Sequence, residues 1–385
     1  MFKEFLIAGY LLLTKLVFVF CRLFPTRNKY VMLSSFGDNT EYVAREILDQ
    51  LDGDVVILMS RKSNYSFDDL KLSENQVIPF DSLNLFQYIK SIFHLATAKV
   101  VLVDNYFAFL SVMNFKTGVE CIQLWHAAGA VKKFGMDDPS FHGRSAAAQK
   151  RFLKVYGRFD KVVVGSDEMI AVFKSAFNLT DDRFLTTGIP RTDFFFDEVA
   201  LDAAKRAVLL TYPAIENKYV ILYAPTFRRD QLNGQEIAID IEKLTASLGP
   251  AYLLLIRMHP AVKMSVNESQ FDGVIDVSGY PNMNELLVVT DYLITDYSSL
   301  PYEFALLKRP QIFYPYDLAE YEQESGFWGA YEEVVPGPVV HSTEEIIELI
   351  GGDDFDLERV AAFSELWNAY SKGKSAQALI SYLKE

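Results

Sequence analysis

Two histidines, one arginine and one serine pair stand where apolar runs give way to polar turns. His126 follows Trp125 and precedes Ala127-Ala128-Gly129-Ala130. Small residues there let a backbone approach a substrate closely. A histidine titrates near neutrality, so at such a place it suits a general base for an acceptor hydroxyl. Lys132 and Lys133 come next, near an expected helix start, and can neutralise a phosphate. Met258-His259-Pro260 also ends an apolar run, and its imidazole suits charge developing on a leaving phosphate. Arg228, after Ala224-Pro225-Thr226-Phe227, carries a planar fork that grips a diphosphate with paired hydrogen bonds. Finally, Asp291–Phe304 reads strand, polar stop at Asp296-Tyr297-Ser298-Ser299, then helical spacing over Leu300–Leu307. The free N–H groups of that helix start, the Ser298 and Ser299 hydroxyls and the helix dipole make a phosphate site. Pro301 in the first turn loses no hydrogen bond. Glu303, one turn in, is placed to meet a ribose hydroxyl. Each signal alone has a structural reading: a core histidine bonded to a carbonyl, a surface ion pair for Arg228, an ordinary helix cap. Together they describe transfer chemistry at a phosphate.

The elements that must hold these residues follow from the alternation of apolar runs and helical patterns. Strands are expected at Tyr30–Ser34, Val55–Ser60, Lys99–Val103, Cys121–Trp125 and Lys161–Gly165, with helices at Glu41–Leu51 and Ser82–Leu95. The pattern restarts with strands at Tyr219–Tyr223, Tyr252–Arg257, Val274–Val277, Tyr292–Thr295 and Gln311–Phe313, interleaved with helices at Asp240–Leu248 and Asn282–Val289. Near-continuous apolar strands joined by helices imply parallel sheets covered on both faces. In such sheets ligands sit at the strands' carboxyl ends. Asn39, Asp104 and Asn105 fall there too and are assigned with Lys132 and Lys133 to the acceptor side. Gly188 and Pro190 punctuate an expected boundary between about Pro190 and Tyr212. The expected division is 1–27 as an N-terminal membrane-associated helix, 28–200 as an acceptor domain, 201–365 as a donor domain and 366–385 as a helix returning to the first domain. Both domains are read as Rossmann-like α/β halves with a cleft between them.

Composition narrows the class. The chain has 385 residues, half of them hydrophobic, with 30 Phe and 21 Tyr, enough for two well-filled cores. Its two cysteines, Cys21 and Cys121, exclude a disulfide framework and a cysteine zinc site. The net charge of −14 argues against a nucleic-acid partner. Residues 1–29 carry a net +4, leaving −18 on the rest. Phe5–Phe24 is almost wholly apolar, with Lys15 in its middle and no small-residue cleavage site after it. On a helical wheel Lys3, Glu4, Tyr10, Thr14, Lys15, Cys21 and Arg22 share one arc, while Phe5, Leu12, Leu13, Leu16, Val19 and Phe20 lie outside it. The expectation is a helix lying in a membrane surface with its basic edge towards anionic headgroups. No Gly-rich dinucleotide motif, no P-loop and no clustered metal ligands occur, so no cofactor and no metal are expected.

The set Trp125-His126, Lys132-Lys133-Phe134-Gly135, Thr187-Gly188-Ile189-Pro190-Arg191, Ala224-Pro225-Thr226-Phe227-Arg228, Arg257-Met258-His259-Pro260 and Thr295-Asp296-Tyr297-Ser298-Ser299 with Glu303 resembles the CDP-glycerol glycerophosphotransferase family of teichoic acid synthesis. The resemblance covers roughly residues 30–370. It implies a GT-B-like fold and a peripheral enzyme on the cytoplasmic side of the cell membrane. It implies CDP-glycerol as donor, a lipid-linked acceptor and release of CMP, with His126 as base and His259 as diphosphate partner. Arg228, Thr226, Ser298 and Ser299 would hold the donor, with Asp296 and Glu303 shaping its site. The family often has Trp-His-Gly-Thr-Pro where this chain has Trp-His-Ala-Ala-Gly, a difference on the acceptor side. That difference and the short chain favour the primase branch, which adds the first unit to undecaprenyl-diphosphate-linked ManNAc-GlcNAc. A poly(glycerol phosphate) polymerase, a ribitol-phosphate transferase and a nucleotide-sugar glycosyltransferase remain alternatives, and a homo-oligomer is left open.

Overall fold

In the computed structural model, residues 2–63, 65–228, 237–258 and 271–385 are described, and the chain divides into two compact units. One comprises Met1–Ala128, Phe134–Asp193 and Asn368–Glu385, and the other Gly129–Lys133 and Phe194–Trp367.

The first unit is built on a parallel sheet of β1 (Lys29–Ser34), β2 (Asp54–Met59), β3 (Val77–Pro79), β4 (Val100–Val103), β5 (Glu120–Gln123), β6 (Lys161–Val163) and β7 (Phe184–Leu185), in the order β3-β2-β1-β4-β5-β6-β7. All six residues of β1 and all four of β4 are buried. Successive strand residues point to opposite faces, so burial without alternation means both faces are covered. Helices α1 (Phe2–Cys21), α2 (Asp38–Gln50), α3 (Leu85–Ala96), α4 (Ala146–Tyr156) and α5 (Asp167–Phe177) complete the main body. The Ser166 hydroxyl accepts from Met169 N and starts α5, as its place after β6 predicts. The order of strands reverses between β1 and β4, and the crevice beyond their carboxyl ends is the ligand position of this architecture.

The second unit opens with α6 (Glu198–Thr211). Its parallel sheet comprises β8 (Tyr219–Tyr223), β9 (Tyr252–Ile256), β10 (Val274–Asp276), β11 (Tyr292–Thr295) and β12 (Gln311–Phe313), ordered β10-β9-β8-β11-β12. Here the reversal lies between β8 and β11. Helices α7 (Ile241–Leu248), α8 (Met283–Val289), α9 (Leu300–Phe304), α10 (Leu318–Ser325), α11 (Tyr331–Val334), α12 (Thr343–Gly352) and α13 (Leu357–Trp367) accompany it.

The last helix, α14 (Ser375–Lys384), is part of the first unit. The Asp193 carboxylate accepts from Ser375 N and Ala376 N at 2.8 and 2.9 Å, and the Tyr382 hydroxyl donates to Glu120. The sequence suggests one helical stretch over Leu357–Lys384. Instead residues 368–374 break it, because Tyr370 N bonds Gly165 O and the Ser371 hydroxyl accepts from Ile189 N. Gly188 is needed beneath this segment: at φ +83, its Cβ would stand 2.6 Å from the Tyr370 carbonyl oxygen.

Three further expectations change. β3 and β7 have no counterpart in the sequence reading, since three and two residues are too short to show a pattern. No helix begins near Lys132 and Lys133. Lys132 instead forms an antiparallel bridge with Phe327, and the next helix is α4. In α1 the polar arc turns partly inward. Glu4 pairs with Arg151 at 3.1 Å, and Thr14 is buried, bonded to the Tyr88 hydroxyl and Tyr10 O. Phe5, Leu12, Leu13, Leu16, Val19 and Phe20 are exposed, with Lys15 and Arg22 beside them. The apolar side faces outward, as a helix lying in a membrane surface would place it. Among the described residues this is the one helix long and apolar enough to cross a membrane.

Candidate active site

At the carboxyl end of the first sheet, His126 is fixed from several directions. Its Nδ1 lies 3.1 Å from the main-chain oxygen of Asp104. A carbonyl oxygen only accepts, so Nδ1 carries the hydrogen and Nε2 presents a lone pair. The imidazole stacks on Phe36, with centroids 4.2 Å apart and planes at 11°, and lies 4.3 Å from the Trp125 ring. Desolvation lowers its pKa to about 4; the Asp104 bond opposes that shift and Arg191 adds to it. The imidazole is therefore neutral at pH 7, with Nε2 unprotonated.

The backbone at this point is strained. Trp125 has φ +60, a left-handed conformation that costs a bulky residue free energy and persists only when its surroundings hold it. Trp125 N donates to Gln123 Oε1 at 2.9 Å, and Asn39 Nδ2 donates to Trp125 O at 2.9 Å and Leu124 O at 3.2 Å. Asn39 Oδ1 accepts from Arg191 N, and the Arg191 guanidinium donates to His126 O at 2.8 Å and lies 3.5 Å from Asp38. Asn39 is 1% exposed, with both ends of its amide engaged by the protein. Asp104 is equally buried, and its carboxylate accepts from the β1–α2 turn; burial pushes its pKa up while those bonds pull it down. Asn105 is half-buried, its side chain accepting from Tyr106 N.

In the second unit the turns after β8 and β11 are locked together. Asp296, 1% exposed, accepts from Thr226 N at 2.8 Å, Tyr297 N at 2.6 Å and Arg228 Nη2 at 2.9 Å. Arg228 is 6% exposed and also donates to Asp317 and Thr226 O. Its guanidinium lies about 5 Å from the ring centres of Tyr297, Tyr316 and Tyr321. Burial works against its charge, yet the Asp317 bond and the Asp296 field leave its pKa raised. In this arrangement Arg228 braces loops with the N–H groups expected to meet a diphosphate. Ser298 and Ser299 are half-buried at the start of α9, and the Ser298 hydroxyl accepts from Leu300 N. The expected helix over Leu300–Leu307 is five α residues followed by a 3₁₀ turn, so its dipole is short. Glu303 is buried, at 1% exposure. Lys132 belongs to this unit: its ammonium bonds the Tyr321 hydroxyl at 3.1 Å, and its carbonyl accepts from Trp328 Nε1. Lys133 N bonds Gly326 O. His259 lies outside the described residues. No group of three or more His, Cys, Asp or Glu able to hold a metal occurs among the described residues.

The family described as CDP-Glycerol:Poly(glycerophosphate) glycerophosphotransferase matches residues 16–385. The chain belongs to this family. It is 37% identical over 302 residues to the teichoic acid glycerol-phosphate primase of Bacillus subtilis (strain 168), covering 78% of this chain and 77% of that one. It is 34% identical over 362 residues to the like-named primase of Bacillus spizizenii, covering 93% and 92%. In three dimensions it is similar to the wall teichoic acid polymerase TagF, with a TM-score of 0.76 at 25% identity over 93% of this chain and 89% of that chain. This glycerophosphotransferase-family chain is thus a transferase of teichoic acid biosynthesis. The residues around its His126 to which sequence reasoning gave no role are Phe36, Gln123 and Arg191, the last named only within its motif. Phe36 had one usable signal, its place after a strand. Gln123 and Arg191 act through backbone groups, which no spacing reveals.

Proposed function

We propose that this enzyme transfers glycerol phosphate from CDP-glycerol to a hydroxyl of a membrane lipid-linked disaccharide, undecaprenyl-diphosphate-linked ManNAc-GlcNAc, and releases CMP. The observation that carries the reading is the His126 imidazole, its tautomer held by the Asp104 carbonyl, at the strand-order reversal of its sheet. Nε2 takes the proton of the acceptor hydroxyl. The oxygen attacks the glycerol-bearing phosphorus, the bond to CMP breaks, and CMP leaves with the electron pair. By family resemblance His259 is assigned to the leaving diphosphate, with Ser298 and Ser299 on the donor side. The buried pair of Arg228 and Asp296 shapes that side rather than touching the donor, with half-buried Thr226 bonded to it, and Asn39 and Asp104 shape the acceptor side in the same way. The finer fold reading, a GT-B arrangement of residues 28–200 and 201–365, belongs to this proposal. So does a peripheral site on the cytoplasmic face of the membrane, held by the outward apolar side of α1.

Identity to two glycerol-phosphate primases over three quarters or more of the chain supports addition of a first unit. Mass analysis of the product from CDP-glycerol and a synthetic disaccharide-diphosphate lipid is the test. One added glycerol phosphate is expected. A ladder of products would replace the primase reading with a polymerase, and no product with this donor would refute the assignment.

A further inference from the structure

Asp104, the residue following β4, reaches His126 by two paths. Its main-chain oxygen takes the Nδ1 hydrogen at 3.1 Å. Its carboxylate gathers the turn between β1 and α2: the Ser34 hydroxyl at 2.8 Å, Ser35 N at 2.9 Å, Phe36 N at 2.9 Å and Gly37 N at 3.3 Å. These are four consecutive residues closing on one anion. The turn has little freedom to form otherwise, since Gly37 sits at φ +102 and a Cβ there would lie 2.1 Å from the Tyr65 ring. The turn so made lays Phe36 on the imidazole, nearly parallel to it.

We propose that Asp104 is a positioning residue for His126, acting through its carbonyl on the ring's tautomer and through its carboxylate on the Phe36 ring that covers the imidazole. The inference deepens the proposed function and rests on His126 being the base. At 1% exposure the carboxylate has no surface to offer a sugar, so an acceptor-binding role for the side chain is set aside. An imidazole without these restraints exchanges tautomers and turns about its ring axis, and part of the time it offers N–H where a lone pair is required. The aromatic cover also excludes water from one face of the ring. The charged group acting on the ring is the Arg191 guanidinium, with Asp38 paired to it.

Asp104→Asn keeps shape and main-chain carbonyl but sets an N–H donor against the amide hydrogens of residues 35–37. Phe36→Ala removes the cover and leaves the carboxylate. Both are made in the full chain and followed by ¹⁵N-histidine NMR from pH 4 to 8, the His126 signal being assigned by its loss in His126→Gln. The unchanged protein should show only the Nδ1–H tautomer, neutral below pH 5. Both variants should show mixed tautomers and a titration midpoint moved towards the ordinary histidine value of about 6.5. Turnover should fall by roughly 100-fold, the scale of a small misplacement of a reacting group, with KM for CDP-glycerol unchanged. Phe36→Tyr, which keeps a flat ring, should restore both signatures. An unmoved His126 signal in folded variants overturns the proposal. A moved signal with undiminished turnover supports the positioning role and overturns His126 as the base. Should Asp104→Asn not fold, Phe36→Ala and Phe36→Tyr decide the matter alone.

Discussion

An imidazole kept neutral by burial should keep working where an ordinary histidine has already taken a proton. The His126 pKa lies at about 4, below its usual value, so the base-competent form dominates at every pH above that. kcat/KM should therefore stay level from pH 8 to about 5 and decline only as pH approaches 4. An acid limb centred near 6.5 would show that the active ring is solvated. His126→Ala should lower kcat by roughly 10²–10⁴-fold, the usual contribution of a positioned proton acceptor, with donor binding retained in calorimetry. Arg228 carries a different expectation. Arg228→Met leaves Asp296 buried beside an apolar side chain, and losing one partner of a buried ion pair costs about 3–5 kcal/mol. The chemical denaturation midpoint should fall accordingly, whereas a surface phosphate contact would leave stability intact. Position relative to strand ends made His126, Asp104 and Asn39 legible in the sequence. Their contacts with Phe36 and Arg191 were not, because these residues meet them only through tertiary packing.

Among the elements, α1 shows a periodicity read from the sequence whose polar side is partly held by the protein. The wheel separates its apolar and polar residues correctly, yet Thr14 and Glu4 find partners inside the first unit, and the apolar side is left outward. Leu12 and Leu16 are 59% and 61% exposed, so the double change Leu12→Asp, Leu16→Asp should leave the thermal midpoint nearly unchanged. Cosedimentation with anionic vesicles should fall sharply. Retained vesicle binding would remove α1 from the membrane reading. The segment Gly129–Lys133 gives a second test. A Cβ on Gly129 would lie 2.2 Å from the Tyr302 ring, which is itself fully buried. Gly129→Ala should then cost about 1–3 kcal/mol by overpacking, measured in the same denaturation assay. The strands were the most legible elements, because buried parallel strands are nearly unbroken apolar runs. The short β3 and β7 and the break between α13 and α14 were hidden, since each depends on what the chain meets elsewhere.

At the level of the molecule, neither unit is a continuous piece of chain. The first takes back residues 368–385, and the second borrows residues 129–133. A fragment ending at Asp193 would leave the Asp193 carboxylate without Ser375 N and Ala376 N, and Ile189 N without the Ser371 hydroxyl. Such a fragment should not give a native near-ultraviolet circular dichroism spectrum alone, and adding a peptide spanning residues 368–385 should restore part of it. The two alternating halves could be read from the sequence. So could the return of the C-terminal helix to the first domain, whereas the loan of residues 129–133 to the second unit could not, because that piece carries no compositional mark.

The docking of α14 on the first unit also sets an order of events during synthesis. All seven strands of the His126-bearing sheet leave the ribosome before the main part of the second unit, Phe194–Trp367, is made, yet the helix docked on that sheet's unit emerges only after Trp367. Through that interval the nascent chain carries an incomplete domain whose uncovered surface invites chaperones, and slowing translation upstream of residue 368 should lengthen their association.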